Sequence, residues 1–312
     1  MPFDIRLEKK PLSLDHPYRL ASIALKADAP EGVIKTNLTP LQEIQPFENW
    51  YAKQPVSLGE RGKLSYAFND AVLFGHAELD QKRIAEDLQE TYKDMVQLLN
   101  SEHYSLLRVW HYLPKLAEPS DYQVFCDARA QAFSSHKEDS YCAATVIGTG
   151  SYYGVVYFVA ARKAGVAVNN PRQTLPYRYP KNYVEPAPMF ARSTLKQWGD
   201  KSHLYISGTA AIVGHTSLHD GDADAQLNEI VNNLNSLLSE AAKTEHGYGK
   251  MPLARLRHIK LYVDKSVSED ITTLVDRHLG SDIELQVFEG QMCRTELLVE
   301  IEAMAISKPV GE

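Results

Sequence analysis

The sequence predicts an α+β protein built of two related units, each a mixed β-sheet with helices packed on one face, and three observations carry that expectation. The pattern strand, turn, long amphipathic helix, strand occurs twice along the chain. A short likeness marks the start of both copies, LFGHAELDQ from Leu73 and IVGHTSLHD from Ile212, aligning Gly75-His76 with Gly214-His215. Between the copies lies a segment too rich in proline for a helix or a central strand.

In the first copy Ile84, Leu88, Tyr92, Met95 and Leu99 recur at helical spacing, and LLRVWHYL then reads as a strand. In the second, Leu227, Ile230, Val231, Leu234, Leu237 and Leu238 mark an amphipathic helix, and RHIKLYVD reads as the strand after it. Coincidence is the competing explanation of the repeat, because helix-then-strand is a common order. These elements divide the chain into a first unit over 1–165, a connector over 166–200 and a second unit over 201–312.

Five of the sixteen prolines fall between Pro171 and Pro188. Residues 161–192 also carry Arg162, Lys163, Arg172, Arg178, Lys181 and Arg192 against the single acid Glu185, in a chain whose net charge is −7. Two readings stand: a solvated basic linker, or a local anion site. Tyr177, Tyr179 and Tyr183 favour the second, since aromatics among arginines give flat packing surfaces beside planar donors for carboxylates.

The acidic balance argues against a general nucleic-acid binder, because phosphate backbones recruit basic surfaces. No apolar run approaches the roughly 20 residues that span a bilayer, and MPFDIRLEKKPLSLDH lacks the apolar stretch of a signal peptide. The expectation is a cytoplasmic protein without membrane or nucleic-acid partners. Cys126, Cys142 and Cys293 are an odd number at wide spacings and are expected to be free thiols.

The last strand, within CRTELLVEIEAMAIS, alternates. Leu297, Val299 and Ile301 point to one face and Glu296, Leu298, Glu300 and Glu302 to the other. The first face is core. From the residues alone the favoured explanation of the second is that it faces water, as one face of many sheets does.

Two resemblances bear on that choice. In LYISGTAA, the helix near Ala225, KLYVDK and CRTELLVEIEAMAIS, residues 204–307 resemble a RidA-type domain, a family that places small-molecule pockets in clefts between adjacent domains. Over Leu64 to Ile306 the chain resembles the chorismatases through LLRVWHYLP, YQVFCDARAQAF, VVYFVAAR, NNPRQTLPYRYPKNY, MFARS, LYISGTA and CRTELLVEIEA in that order. The first sixty residues match less clearly.

What the chorismatase resemblance implies is a cofactor-free and metal-free enzyme that removes pyruvate from chorismate, a small dianion. The implied product is 3-hydroxybenzoate, with 4-hydroxybenzoate or a dihydrodiol as variants. Glu300 matches the family's catalytic glutamate and would act as general acid on the enol-ether methylene, which needs a carboxyl whose pKa is raised by burial or a neighbouring charge. Cys293 matches a cysteine of the hydroxybenzoate-forming members. Arg192, Arg129, Tyr179 and Tyr183 would hold the substrate carboxylates, though Arg129 also reads as an exposed helix residue and Arg192 as a partner of a nearby acid. Gly208 would let backbone approach the ligand, or would serve a turn. RidA-like domains imply a homotrimer, and a tandem arrangement implies a monomer. The alternatives to this activity are an imine or enamine deaminase and a non-catalytic metabolite-binding module. Two further motifs carry no site: HTSLHDGDADA from His215 fails as a metal or calcium loop, and GTGSYYG from Gly148 misses the dinucleotide fingerprint by one place.

Overall fold

A computed structural model describes residues 1–136, 138–244, 252–267, 270–280 and 283–307. Three sheets enclose one central core. The first unit forms a six-stranded sheet in the order 143–148, 105–113, 153–161, 72–80, 64–68, 57–61. The second forms a seven-stranded sheet in the order 166–168, 193–198, 201–209, 299–307, 256–263, 285–289, 39–40. In each, the strand after the first helix pairs in parallel with the strand after the second helix. The last strand then returns antiparallel into the middle of the sheet. The two units therefore share one connectivity, as the repeat implied.

The register of that repeat is different from the sequence expectation. Gly75-His76 lies within the strand Val72–Asp80, whose counterpart is Lys201–Thr209. Gly214-His215 lies beyond that counterpart, at the turn between Ile212–Val213 and Thr216–Ser217. Residues 210–222 separate strand from helix in the second unit where 81–83 suffice in the first, so the shared GH pair spans unequal structure. The connector is also less separate than expected, because 166–168 and 193–198 are strands of the second sheet.

The helices lie on the outer faces. Helix α1 (Ile84–Ser101) buries Leu88, Tyr92, Met95 and Leu99, the predicted stripe, and carries Glu86 and Asp87 in the first turn, where the helix dipole favours acids. Helix α2 (Pro119–Phe133) starts at a capping box between Glu118 and Asp121 with proline at its first position. Helix α3 (Ala223–Ala241) is capped by Asp222, whose Oδ1 accepts from Ala225 N at 2.9 Å, and buries Leu227, Ile230, Leu234 and Leu237 against the second sheet. The short α4 (Ile271–His278) packs beside it. Among the described residues no helix is long and apolar enough to cross a membrane. All three cysteines are free.

The N-terminal residues supply the third wall, a four-stranded sheet in the order 3–8, 47–52, 19–24, 34–35. Its Trp50 meets Phe74 and Trp110 of the first unit at ring distances of 5.1 and 5.9 Å, while Tyr262, Phe288 and Met304 of the second close the same core. A chain of buried charges runs through this apolar centre, one link from each wall. Arg108 donates to Glu302 (2.8 Å), Lys260 lies 3.4 Å from Glu302 and 3.1 Å from Glu48, and the Trp110 and Trp50 indoles donate to Glu302 and Glu48. Burial alone would neutralise these groups, yet Glu48 holds Lys260 well above its ordinary range and Lys260 holds Glu48 below its own.

On the last strand, Val299, Ile301, Ala303 and Ala305 pack toward α3, and Glu300, Glu302 and Met304 turn inward. The predicted alternation holds only from Val299. Leu297 packs into the central core and Leu298 against the helical side, out of phase with the strand, because residues 294–297 form a turn closed by Leu297 N to Arg294 O at 3.1 Å. The acidic face does not meet bulk water; it meets the first unit.

Candidate active site

The seam between the units is made by the edge strand Ala143–Gly148. Ala143 N donates to Thr194 Oγ1 (2.8 Å), Ala144 N to Ser207 Oγ (3.0 Å), and Gly208 N to Thr145 Oγ1 (2.9 Å), while Gly148 and Gln291 exchange backbone bonds. Side chains replace a regular ladder here, which holds the sheets together and leaves a cavity of about 320 Å³ beside the join. Glu300, Cys293, Arg192, Tyr179, Tyr183 and Gly208 all line it, as does Arg294. The cleft that the sequence placed between adjacent domains is thus formed within one chain.

Glu300 is only 6% exposed. Burial, then the charge of Glu302 two residues along the same face, push its carboxyl up to about 8, against the pull of Arg108 and Arg192. No donor among the described residues engages it by a hydrogen bond. A carboxyl so placed is a neutral acid with a proton to give at pH 7. Gly208 is explained by the same group, because a Cβ there would stand 1.9 Å from Glu300 Oε1. The glycine makes room for the acid itself.

Two arginines and two tyrosines line the same cavity. Arg192 Nη2 donates to Tyr179 Oη (2.5 Å) and Thr174 O (3.1 Å), and its buried Nε has no partner. Arg294 Nη1 donates to His215 O (2.9 Å) and Ser217 Oγ (3.0 Å), and its guanidinium stands 4.9 Å from the Tyr183 ring and 5.5 Å from Tyr179. The interrupted hairpin of residues 212–217 has a purpose here: its carbonyl and hydroxyl fix Arg294. Sequence reading passed over Arg294, although it adjoins Cys293 in a segment already singled out. The Cys293 thiol is pushed up to about 12 by burial and by Glu300, so it is neutral and no ready nucleophile. His215 packs on Tyr183 at 4.9 Å and His219 lies 3.6 Å from Glu229. Among the described residues no three His, Cys, Asp or Glu side chains group as a metal site would require.

Arg129 departs from expectation. It does not line this cavity and is not an exposed helix residue; it is 2% exposed. It donates to Tyr92 Oη (3.2 Å) and Met189 O (2.6 Å), among the rings of Tyr92, Phe125 and Phe133. Its apolar neighbours on α1 and α2 draw it under the wall, where it anchors the segment leading to Arg192. From Tyr92 the bonding continues to His111 Nε2 (2.6 Å), and from His111 Nδ1 to Thr145 O (2.7 Å). Burial holds this imidazole well below its usual range, so it is neutral, donating from Nδ1 and accepting at Nε2. Helix α2 closes the cavity with Tyr122 and Phe125, stacked at 5.7 Å.

Comparison with known proteins places this arrangement. Residues 48–160 match the family described as "Chorismatase FkbO/Hyg5-like, N-terminal". The chain is 32% identical over 293 residues to a chorismatase of Streptomyces rapamycinicus, covering 88% of this chain and 87% of that protein. It is 32% identical over 279 residues to a 3-hydroxybenzoate synthase of Streptomyces hygroscopicus, covering 84% and 82%. A chorismatase crystal structure superposes with a TM-score of 0.85 at 28% identity, over 97% of this chain and 98% of the other.

Proposed function

This chain belongs to the chorismatase family, and from that premise we propose that it removes pyruvate from chorismate to leave 3-hydroxybenzoate, with Glu300 as the general acid. The observation that carries the reading is a buried carboxyl, without a hydrogen-bond donor among the described residues, lining the same cavity as two arginines. Chorismate has two carboxylates, and Arg192 and Arg294 supply a planar donor for each. Tyr179 and Tyr183 hold both guanidiniums in place.

With the dianion so fixed, the Glu300 proton passes to the methylene carbon of the enol ether. The side chain becomes an oxocarbenium ion, whose positive charge lies next to the carboxylate that Glu300 has become. Simple loss of pyruvate from ring C3 would leave the hydroxyl on C4, as 4-hydroxybenzoate. For 3-hydroxybenzoate the C4 hydroxyl oxygen attacks C3 as pyruvate leaves, and the C3–O–C4 bridge then opens at C4, leaving the hydroxyl on C3 while the C3 hydrogen departs as a proton. The atoms of chorismate equal those of one hydroxybenzoate plus one pyruvate, so no water is consumed, and the proton the ring loses on aromatising replaces the one Glu300 gave. Hydrolysis to a dihydrodiol would need water at the oxocarbenium carbon. Cys293, with Tyr122 and Phe125, lines the cavity with apolar or weakly polar surface that disfavours water.

The test is to incubate the purified protein with chorismate, couple pyruvate to lactate dehydrogenase and separate the ring product by chromatography. Pyruvate with 3-hydroxybenzoate is the expected result. No pyruvate, with ammonia released from an imino acid instead, would replace this reading by the deaminase, and binding of chorismate without turnover would replace it by a metabolite-binding module.

A further inference from the structure

The six-stranded sheet carries the catalytic seam at one edge, strand 143–148, and a second cavity at the other. This cavity, of about 400 Å³, lies between strands 57–61, 64–68 and 72–80 and strands 19–24 and 34–35 of the N-terminal sheet. It shares no lining residue with the catalytic cavity. Its floor is apolar: Leu20, Ile34 and Phe74 are all buried in the central core and all line it.

Two polar residues, Arg19 and His76, line the cavity beside that floor. Arg19 spends Nη2 on the Gly32 carbonyl, but its Nη1 is buried with no hydrogen bond, and no described acid lies within ion-pair distance of it. Burial draws the Arg19 pKa down, the mark of a cation without a counterion. Glu60, which also lines the cavity, is exposed and does not pair with it. His76 sits on the inner face, paired in register with Ser65 on one side and Tyr157 on the other, and makes no hydrogen bond to a described residue. Burial, then the Arg19 charge, push it down to about 4, so it is a neutral imidazole with one N–H to offer.

Natural proteins rarely leave a buried donor such as Arg19 Nη1 unmet, and a small site combining an apolar bed with a few polar groups is the usual form of a ligand pocket. We propose that this cavity is a second small-molecule site, which takes an apolar monocarboxylic acid of benzoate size. The carboxylate meets Arg19 Nη1 and the His76 N–H, and the ring lies on Phe74, Leu20 and Ile34. One cation and one neutral donor suit a single carboxylate better than a phosphate or a dianion such as chorismate, and the apolar floor suits a ring better than a sugar. The proposal does not depend on the reaction assigned to the other cavity.

Titration calorimetry with benzoate tests it on the wild type, Arg19→Met, Ser65→Leu and Arg192→Met. Ser65→Leu fills space beside His76 without touching Arg19, and gives a second route to the answer should Arg19→Met fail to fold. The expected result is benzoate binding in the wild type that weakens at least tenfold in Arg19→Met and in Ser65→Leu and persists in Arg192→Met. Pyruvate release from chorismate should stay within twofold of wild type in Arg19→Met and Ser65→Leu. No benzoate binding to the wild type, or binding that disappears in Arg192→Met and is unchanged in the other two, would overturn it.

Discussion

Glu300 and Glu302 stand two residues apart on one strand, face the same way, and are both buried, yet the molecule treats them differently. Glu302 receives Arg108, Trp110 and Lys260 and belongs to the charge chain that ties the three sheets together. Glu300 receives no hydrogen bond from a described residue and borders a cavity. Burial by itself therefore does not decide what a carboxylate does; the donors brought to it do. The paired acid is structural, held by two cations and an indole. The unpaired one keeps its proton, and its neighbour's charge helps to keep it there.

The largest effect that would sharpen this contrast is on turnover. Glu300→Gln preserves shape and removes the proton donor, so pyruvate release should fall roughly 10²–10⁴-fold while the protein stays folded. A rate within tenfold of wild type would give the acid's role to another group. Glu302→Ala should do the reverse of a clean active-site variant, costing about 3–5 kcal/mol in urea denaturation because Arg108 and Lys260 are left buried without their shared carboxylate. Gly208→Ala is intermediate: its methyl group collides with Glu300 Oε1, so a loss of about 1–3 kcal/mol should accompany a fall in turnover, with the carboxyl displaced toward the cavity.

The smallest effect is in pH dependence, and it has a definite sign. Below about 4.5 the Glu300 carboxyl is neutral in folded and unfolded chains alike. Between there and about 8 the unfolded chain gives up the proton and the folded chain keeps it, so stability falls as pH rises through that window. Glu300→Gln removes this cost. Its melting temperature should exceed that of the wild type at pH 8 by an amount corresponding to at most a few kcal/mol, and the gap should close near pH 4. Equal gaps at both pH values would mean that Glu300 is already ionised in the folded protein.

The fold was largely legible where one physical rule acts alone. Helical spacing of Leu88, Tyr92 and Met95 and of Leu227, Ile230 and Leu234 gave α1 and α3 because each buries a single stripe. The third wall was not legible, since strands such as RLASIA and FENWYA carry no alternation once both faces are covered. Short apolar likenesses misled for a related reason: the GH pair marks a strand interior in one unit and a hairpin turn in the other. At the site, the alternation of VEIEA alone favoured a face toward water, and it was the chorismatase resemblance, with the arginine–tyrosine connector, that pointed to Glu300, Arg192, Tyr179 and Tyr183, all of which line one cavity. Arg129 was expected at the cavity and does not line it, while Arg294, for which no role was expected, does, because a sequence gives the presence of an arginine and not its depth. One is drawn under the wall by three aromatic rings, and the other is brought to the cavity by a turn.

The most direct measurement of the central claim is the titration of the Glu300 carboxyl itself. Carbon-13 NMR of protein labelled at glutamate side chains, with Glu300→Gln assigning the resonance by its absence, follows one group through its pH range. A midpoint near 8 is the predicted result; a midpoint near the ordinary glutamate value of 4.5 would contradict the account, because the residue would then have no proton to donate at neutral pH.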